Sequence, residues 1–147
     1  MRGVLKNRFR REMIADFFDY VVIDTPPTFD ALLKNALEVA DVVTIPFVPH
    51  HLGVVAVGQM VRAIYQNASQ NGQNMPEVVM LPVMFNHHIV EHREAVAKVA
   101  MQFGQDKLLS PIGVDIKLAK QFEQSCPVVL DSKHSRGLQD YNRFVDE

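Results

Sequence analysis

The sequence has no tryptophan and one cysteine, Cys126, in 147 residues. A lone thiol closes no internal disulfide, so a disulfide-stapled secreted domain is excluded and a reducing compartment fits. No apolar run approaches the length of a membrane span. The opening MRGVLKNRFRR is basic but has no separate apolar core and cleavage site, so it does not read as a secretory signal. An excess of either charge is also lacking: the formal net charge is -2. That gives no global drive toward nucleic acid and leaves open only a local basic patch. There is no internal repeat and no linker long enough to divide the chain, so residues 1–147 are expected to form a single domain. Finally, no GxxxxGKS/T sequence occurs anywhere; Gly53 and Gly58 are followed by no Lys-Ser/Thr pair.

What is present is a composition ordinary for a globular chain, 48% hydrophobic and 22% charged. The organising stretch is residues 20–28, YVVIDTPPT. Tyr20, Val21, Val22 and Ile23 read as a strand buried on both faces, at the centre of a parallel sheet. Asp24 follows at its carboxyl end, where open α/β sheets bind ligands. The aspartate either holds a metal or phosphate ligand there or caps the next segment.

Strands and amphipathic helices alternate along the rest. Residues 2–18 predict one helix, with Val4, Leu5, Phe9, Met13, Ile14 and Phe17 at helical spacing. Its basic residues either lie on nucleic acid or an anionic membrane or form a solvated face. Thr28 or Asp30 caps a helix whose stripe is Phe29, Leu32, Leu33, Ala36, Leu37 and Ala40. VVTIPFV, residues 42–48, is the second strand, with Pro46 at its exit edge. After His50 and His51, a helix should turn Leu52, Ala56, Met60, Ala63 and Ile64 inward, with Val55 and Val57 broadening the stripe. Residues 67–74 read as a loop, and residues 76–85 hold the third strand. A helix over about 90–103 places Val96, Val99, Ala100 and Phe103 on one side. A turn at 104–106, a short strand within 107–112, a brief helix to about Phe122 and an extended piece at 127–130 follow. The last helix starts near Ser135, with Leu138, Tyr141, Phe144 and Val145 inward. The fold class is α/β, with a mostly parallel sheet flanked by helices and right-handed crossovers.

The paired histidines, His50 with His51 and His87 with His88, invite a zinc site together with His92. There is no HExxH, and Cys126 is distant in sequence, so caps, packing and solvated side chains are the expected roles. Cys126 lies beside Pro127 near an apolar segment, where packing is expected rather than nucleophilic chemistry. Phosphate chemistry is the stronger reading: a strand-end aspartate can bind Mg²⁺ or its waters, and the ion neutralises phosphate charge.

Four segments then resemble a known family. YVVIDTPPTFDALLKNALEVADVVTIPFVP, VVMLPVMFN, SPIGVDIKLAKQF and PVVLDSKHSRGLQDYNRFVDE follow the order of the ParA/Soj/MinD family of deviant Walker ATPases. The ending DSKHSRGLQDY is similar to the plasmid and chromosome partition branch. The resemblance implies an incomplete P-loop NTPase-like fold, in which VVIDTPP is the Walker B strand and its switch. Asp24 then matches the aspartate that organises Mg²⁺ and catalytic water. Thr25, Pro26 and Pro27 fall in the nucleotide-responsive switch. Asn86 matches a position near adenine, and Pro111 and Asp115 fall in the loop flanking base and ribose. The cofactors implied for the complete family are ATP and Mg²⁺.

The family's first strand, phosphate loop and acidic first switch have no counterpart here. The chain therefore resembles the portion after the phosphate-loop unit. Without that loop's backbone cradle and lysine, autonomous ATP hydrolysis is expected to be very weak or absent. The missing strand neighbours Walker B in the family, so apolar strand faces and unpaired edges are expected. The resemblance further implies self-association or a ParA-like partner, a centromere-binding protein, and nonspecific DNA bound through Lys117, Lys120, Lys133 and Arg136. It implies a cytoplasmic, nucleoid-associated location. The alternative function is a noncatalytic regulator that binds a full-length ParA-like partner.

Overall fold

A computed structural model describes residues 3–26, 28–72, 75–116 and 135–147. Its elements are α1 (Val4–Arg11), α2 (Ile14–Phe17), α3 (Ala31–Leu37), β1 (Val42–Phe47), α4 (His51–Asn71), β2 (Glu77–Pro82), α5 (Val90–Phe103), a 3-10 turn (Gln105–Lys107) and α6 (Arg136–Asp146). The expected extended piece at 127–130 and all of the brief helix beyond residue 116 lie outside the described residues. The described chain falls into two compact units, Met1–Val43 with Met60–Glu77, and Thr44–Gln59 with Val78–Glu147.

The sheet is parallel; β2 is buried over its last four residues, whereas β1, expected buried on both faces, leaves Val42 and Pro46 exposed. Glu77 N donates to Asp41 O at 2.8 Å and Val83 N to Phe47 O at 2.9 Å, at one constant sequence offset. Odd-numbered residues of β2 therefore face β1. Even-numbered ones face the opposite way: Met80 O accepts from Leu109 N and Pro82 O from Ile112 N, each at 2.9 Å. Residues 108–113 thus form a further parallel neighbour, through bridges at Met80–Leu108 and Phe85–Gly113. Met84 breaks the alternation. Its φ of 53° is left-handed, and the next odd residue, Phe85, turns its N–H to Ile112 O (3.0 Å) instead of toward β1. Pro46 fits the same parity. β1 turns its odd-numbered carbonyls to β2, so the donor that proline lacks would point to the other edge.

In the first unit, Asp30 caps α3: its Oδ1 accepts from Leu32 N at 2.8 Å and Leu33 N at 3.1 Å. Those bonds hold its carboxyl below the usual carboxylate range, with the Leu33 N–H the largest cause. Leu33, Ala36 and Leu37 are buried, together with Val61, Ile64 and Ala68 of α4. The exposed N–H groups opening α1 are met by side chains of and after α3, Gly3 N by Glu38 Oε2 (2.9 Å) and Val4 N by Asn35 Oδ1 (3.2 Å). The single helix expected over 2–18 is instead two, broken at Met13 with φ 47°. No residue of α1 is buried, so no packed stripe enforces continuity across the break.

The largest departure is at 20–23. These residues form no strand, and Tyr20 is 90% and Val22 93% exposed. A strand exists only as a paired element, and among the described residues nothing pairs with this one. The segment remains unladdered.

The second unit has its own core of Ile45, Phe47, Val57, Val79, Met80, Leu81, Ala95, Val99 and Ile112. α4 opens with Gly53 N donating to His50 Nδ1 at 3.0 Å, a local capping role for one histidine. Its buried line runs Gly53, Val57, Val61, Ile64 and Ala68, which keeps Val57 and Ile64 of the expected stripe but leaves Leu52, Val55 and Ala56 exposed. Gly53 sets that phase: a Cβ there would fall far inside van der Waals contact of Val48 O. The helix also runs through the expected loop to Asn71, with Asn67 and Ala68 buried, and left-handed Gly72 follows. α5 spans the predicted residues and buries Ala95 and Val99. α6 begins at Ser135, whose Oγ accepts from Leu138 N at 3.1 Å. Tyr141 and Val145, expected inward, are exposed; the face turned in carries Gly137, Leu138, Asp140 and Phe144.

Candidate functional site

The second unit contains a cavity of about 530 Å³, lined by Phe85, Asn86, His87, His88, Pro111, Gly113, Val114, Arg136, Asp140 and Arg143. It lies beyond the carboxyl end of β2 and its parallel neighbour, the usual ligand position in an open α/β sheet. Two of the residues expected near a nucleotide base, Asn86 and Pro111, both line it.

Asn86 organises the turn from β2 into α5. Its Oδ1 accepts from His88 N at 3.0 Å, an Asx turn. Its own N–H donates to His92 Nδ1 at 3.1 Å, so that nitrogen is the acceptor and the ring carries its proton on Nε2. The Phe85 and His92 ring centroids are 6.2 Å apart, and those of His87 and His88 3.7 Å. Arg93 donates to His87 O, which fixes the turn against the first helical turn of α5.

The opposite wall is held by carboxylates. Gly113 N donates to Asp140 Oδ2 at 3.0 Å, Gly137 N to Asp115 Oδ2 at 2.8 Å, and Ser110 N to Glu147 Oε2 at 2.8 Å. The Ser110 hydroxyl also donates to Glu147 Oε1. Ser110's hydroxyl and then its N–H hold the Glu147 carboxyl below the usual carboxylate range. Loop residues 110, 113 and 115 thus meet Glu147 at the end of α6 and helix residues 140 and 137 in reverse order, and the loop lies antiparallel to α6. Asp115 spends one oxygen on the helix N-terminus, where a carboxylate is favoured by the exposed N–H groups. Gly113 permits the approach, since a Cβ there would stand 3.3 Å from Asp140 Oδ2.

Arg136, Asp140 and Arg143 were the less legible part of the pocket. Their spacing, i, i+4 and i+7, places them on one face of α6, a signal present in SRGLQDYNR. Only Arg136 was singled out from the sequence, as a basic surface residue. Lys117, Lys120, Lys133, Cys126 and Pro27 lie outside the described residues.

Asp24, Thr25 and Pro26 belong to the first unit. Asp24 and Pro26 are exposed and Thr25 is half-buried. Among the described residues the Asp24 carboxylate has no hydrogen bond or ion pair, so its oxygens are available to a hard cation. No three His, Cys, Asp or Glu side chains cluster as a metal site among the described residues. Mg²⁺ suits such a lone carboxylate, because it usually keeps several waters and takes its other ligands from phosphate. For a triphosphate, the sequence supplies no glycine-rich cradle.

The chain matches the AAA_31 family, described as an AAA domain, over residues 2–76, half of its length. It is 26% identical over 146 residues to an uncharacterized protein of Pseudomonas putida, covering 98% of this chain and 56% of that protein. It is 26% identical over 131 residues to the chromosome partitioning protein ParA of Myxococcus xanthus, covering 87% of this chain and 45% of ParA. The chain thus spans about half the length of the curated relatives it matches. The solved structure of apo McdA from Cyanthece superposes with a TM-score of 0.72 at 20% identity, over 84% of this chain and 50% of McdA. That likeness shows the fold, a P-loop NTPase-like α/β arrangement. The parallel sheet, the segments that follow it in order and the match over half the chain lead to one assignment: this chain belongs to the AAA_31 family of AAA domains and is ParA-like.

Proposed function

We propose that this chain is a ParA-like DNA partition or segregation module that holds a nucleotide base in the 530 Å³ cavity and does not hydrolyse ATP by itself. The observation that carries the reading is the convergence of Asn86 and Pro111 on one cavity at the strand ends. Asp24 is its Mg²⁺ ligand, with Thr25 and Pro26 in the segment that responds to nucleotide. Asp115 acts beside base and ribose through the loop it ties to α6. Catalysis needs a phosphate cradle and a lysine, and residues 1–147 contain no GxxxxGKS/T sequence that would supply them. The partners are then another copy or a ParA-like chain, a centromere-binding protein, and nonspecific DNA reached through Arg136 and its basic neighbours. The absent GxxxxGKS/T motif favours a second reading, a noncatalytic regulator of a full-length ParA-like partner.

Titration of the purified chain with labelled adenosine and ATP, with and without Mg²⁺, tests the first reading. Adenosine and ATP should bind with similar, weak affinity, and phosphate release should stay at background. Tight Mg²⁺-dependent ATP binding that is lost in Asp24→Ala would overturn the severely defective phosphate site. Weak DNA binding should fall steeply with salt and show little sequence preference.

A further inference from the structure

The turn that carries Asn86, His87 and His88 onto the cavity wall is fastened through one imidazole. Phe85 still belongs to the parallel ladder: its N–H donates to Ile112 O at 3.0 Å and its O accepts from Val114 N at 3.3 Å. Beyond it the backbone leaves the sheet. The next donor, Asn86 N–H, is met by no carbonyl and goes to His92 Nδ1 at 3.1 Å. Asn86 O and Oδ1 are taken up inside the turn, by Ile89 N at 3.1 Å and His88 N at 3.0 Å. Those bonds shape the turn without holding it to anything else. Two side chains of α5 do that: His92 on Asn86 N, and Arg93 on His87 O. A guanidinium stays charged and donates at every pH of interest. The His92 tie is therefore the one that a proton can change.

We infer that His92 is a positioning residue for the cavity, and that binding there requires its uncharged imidazole. The neutral ring accepts at Nδ1, whereas an imidazolium donates from both nitrogens. A second proton would set N–H against N–H and leave the Asn86 donor without an acceptor. Nothing around His92 rewards that proton. Among the described residues, no carboxylate hydrogen-bonds to it or pairs with it. β2 presents only the uncharged Phe85 ring. The charged and titratable groups nearby are Glu91 and Arg93 on its own helix, and His87 and His88 in the turn. Across the cavity, α6 brings Arg136, Asp140 and Arg143, and Asp140 gives an oxygen to Gly113 N. The sign follows. The tie is present above the range in which histidine takes its second proton, about pH 5 to 8, and is lost as pH falls through it. Glu147, on the opposite wall, is held below the usual carboxylate range, so its tie to Ser110 survives this window. The inference rests on the reading that the cavity holds a base, and adds to it the control of that site by protons.

The test has two arms on the whole chain, each run at about pH 7.5 and about pH 5.5. The first needs no ligand: amide exchange by nuclear magnetic resonance, expressed as protection of the Asn86 N–H relative to an unstructured peptide at the same pH. The second is titration with labelled adenosine. His92→Asn is the rescuing variant, because asparagine carries Oδ1 as many bonds from Cα as imidazole carries Nδ1, and it does not titrate. His92→Phe keeps a ring beside Phe85 and removes the acceptor. In the unaltered chain, Asn86 protection and adenosine affinity should each fall about fivefold at the lower pH, the usual worth of one such bond. His92→Asn should hold both nearly constant, and His92→Phe should be low in both at either pH. The fall should persist in His87→Gln/His88→Gln, which removes the other histidines on the cavity wall. A fall of the same size in His92→Asn would overturn the role of His92, as would undiminished Asn86 protection in His92→Phe. Loss of protection with no change in adenosine affinity would overturn the link to the cavity. Absence of adenosine binding at the higher pH would overturn the base reading itself, while the exchange arm would still decide whether His92 holds Asn86.

Discussion

Gly53 shows how one residue fixes the phase of an element. Its missing Cβ lets the first turn of α4 approach Val48 O, and the buried line of the helix follows from that approach. Gly53→Ala sets two effects against each other. Alanine is favoured over glycine in a helix by about 1 kcal/mol, but forcing a methyl group onto a backbone carbonyl costs about 1–3 kcal/mol or more. The clash should win, and urea denaturation should show a net loss of stability, whereas Gly58→Ala, with only a side-chain contact at 3.7 Å, should not. Hydropathy spacing could not have given this phase. It ranked Leu52 above Gly53 because it weighs apolar bulk and not the distance between two backbones. The caps were legible at the same scale. Asp30 and Ser135 were readable as helix starts, because a short side-chain acceptor before an apolar stripe has few other uses.

At the scale of elements, α6 and the loop before it are joined by carboxylates. Asp140→Ala removes the acceptor of the Gly113 N–H, and a donor left without a partner in a partly buried setting costs about 1–3 kcal/mol. The variant should unfold at lower urea and bind adenosine more weakly, while Asp140→Asn, which keeps an acceptor oxygen, should recover part of both. Acid should act on the same ties. The Glu147 and Asp30 carboxyls lie below their unfolded values, so their stabilisation is full above the unfolded value near 4 and is lost as pH falls through the folded value. Circular dichroism followed from pH 7 to pH 2 should show helical signal weakening only below about pH 4, and Glu147→Gln should flatten part of that slope. The existence of α5, β1 and β2 was readable from their runs. The break at Met13, the continuation of α4 to Asn71 and the turn of alternation at Met84 were not. Each depends on what the backbone pairs with or packs on, and that is not encoded locally.

For the whole molecule, the described chain combines paired and unpaired apolar segments of similar composition. VVMLP became β2, with Met80 and Leu81 buried, whereas YVVI remained bare. Native-state hydrogen exchange should separate them: the amides of Val79, Met80 and Leu81 should be among the slowest in the chain, and amides 20–24 should exchange at nearly the rate of an unstructured peptide. Slow exchange at 20–24 in dilute solution would mean that the segment is already covered. The class of fold was therefore legible in the sequence, because strand and helix patterns alternate. The position of Asn86 and Pro111 was legible only through resemblance, since nothing in their spacing brings residues 25 positions apart to one cavity. The state of residues 20–23 was misread in one respect: apolarity signals a demand for burial, and a partner is needed to meet it.

Pro46 has a consequence for how this chain fails when it is stressed. Fibril growth copies one strand edge onto the next, and every step needs a regular row of donors. On the side of β1 that faces away from β2, that row is interrupted at residue 46. A misfolded stack started there would stall within a few residues. Aggregation, where it occurs, should begin from residues 20–23, and thioflavin growth curves should respond to a charge placed at Val22 far more than to one placed at Val42.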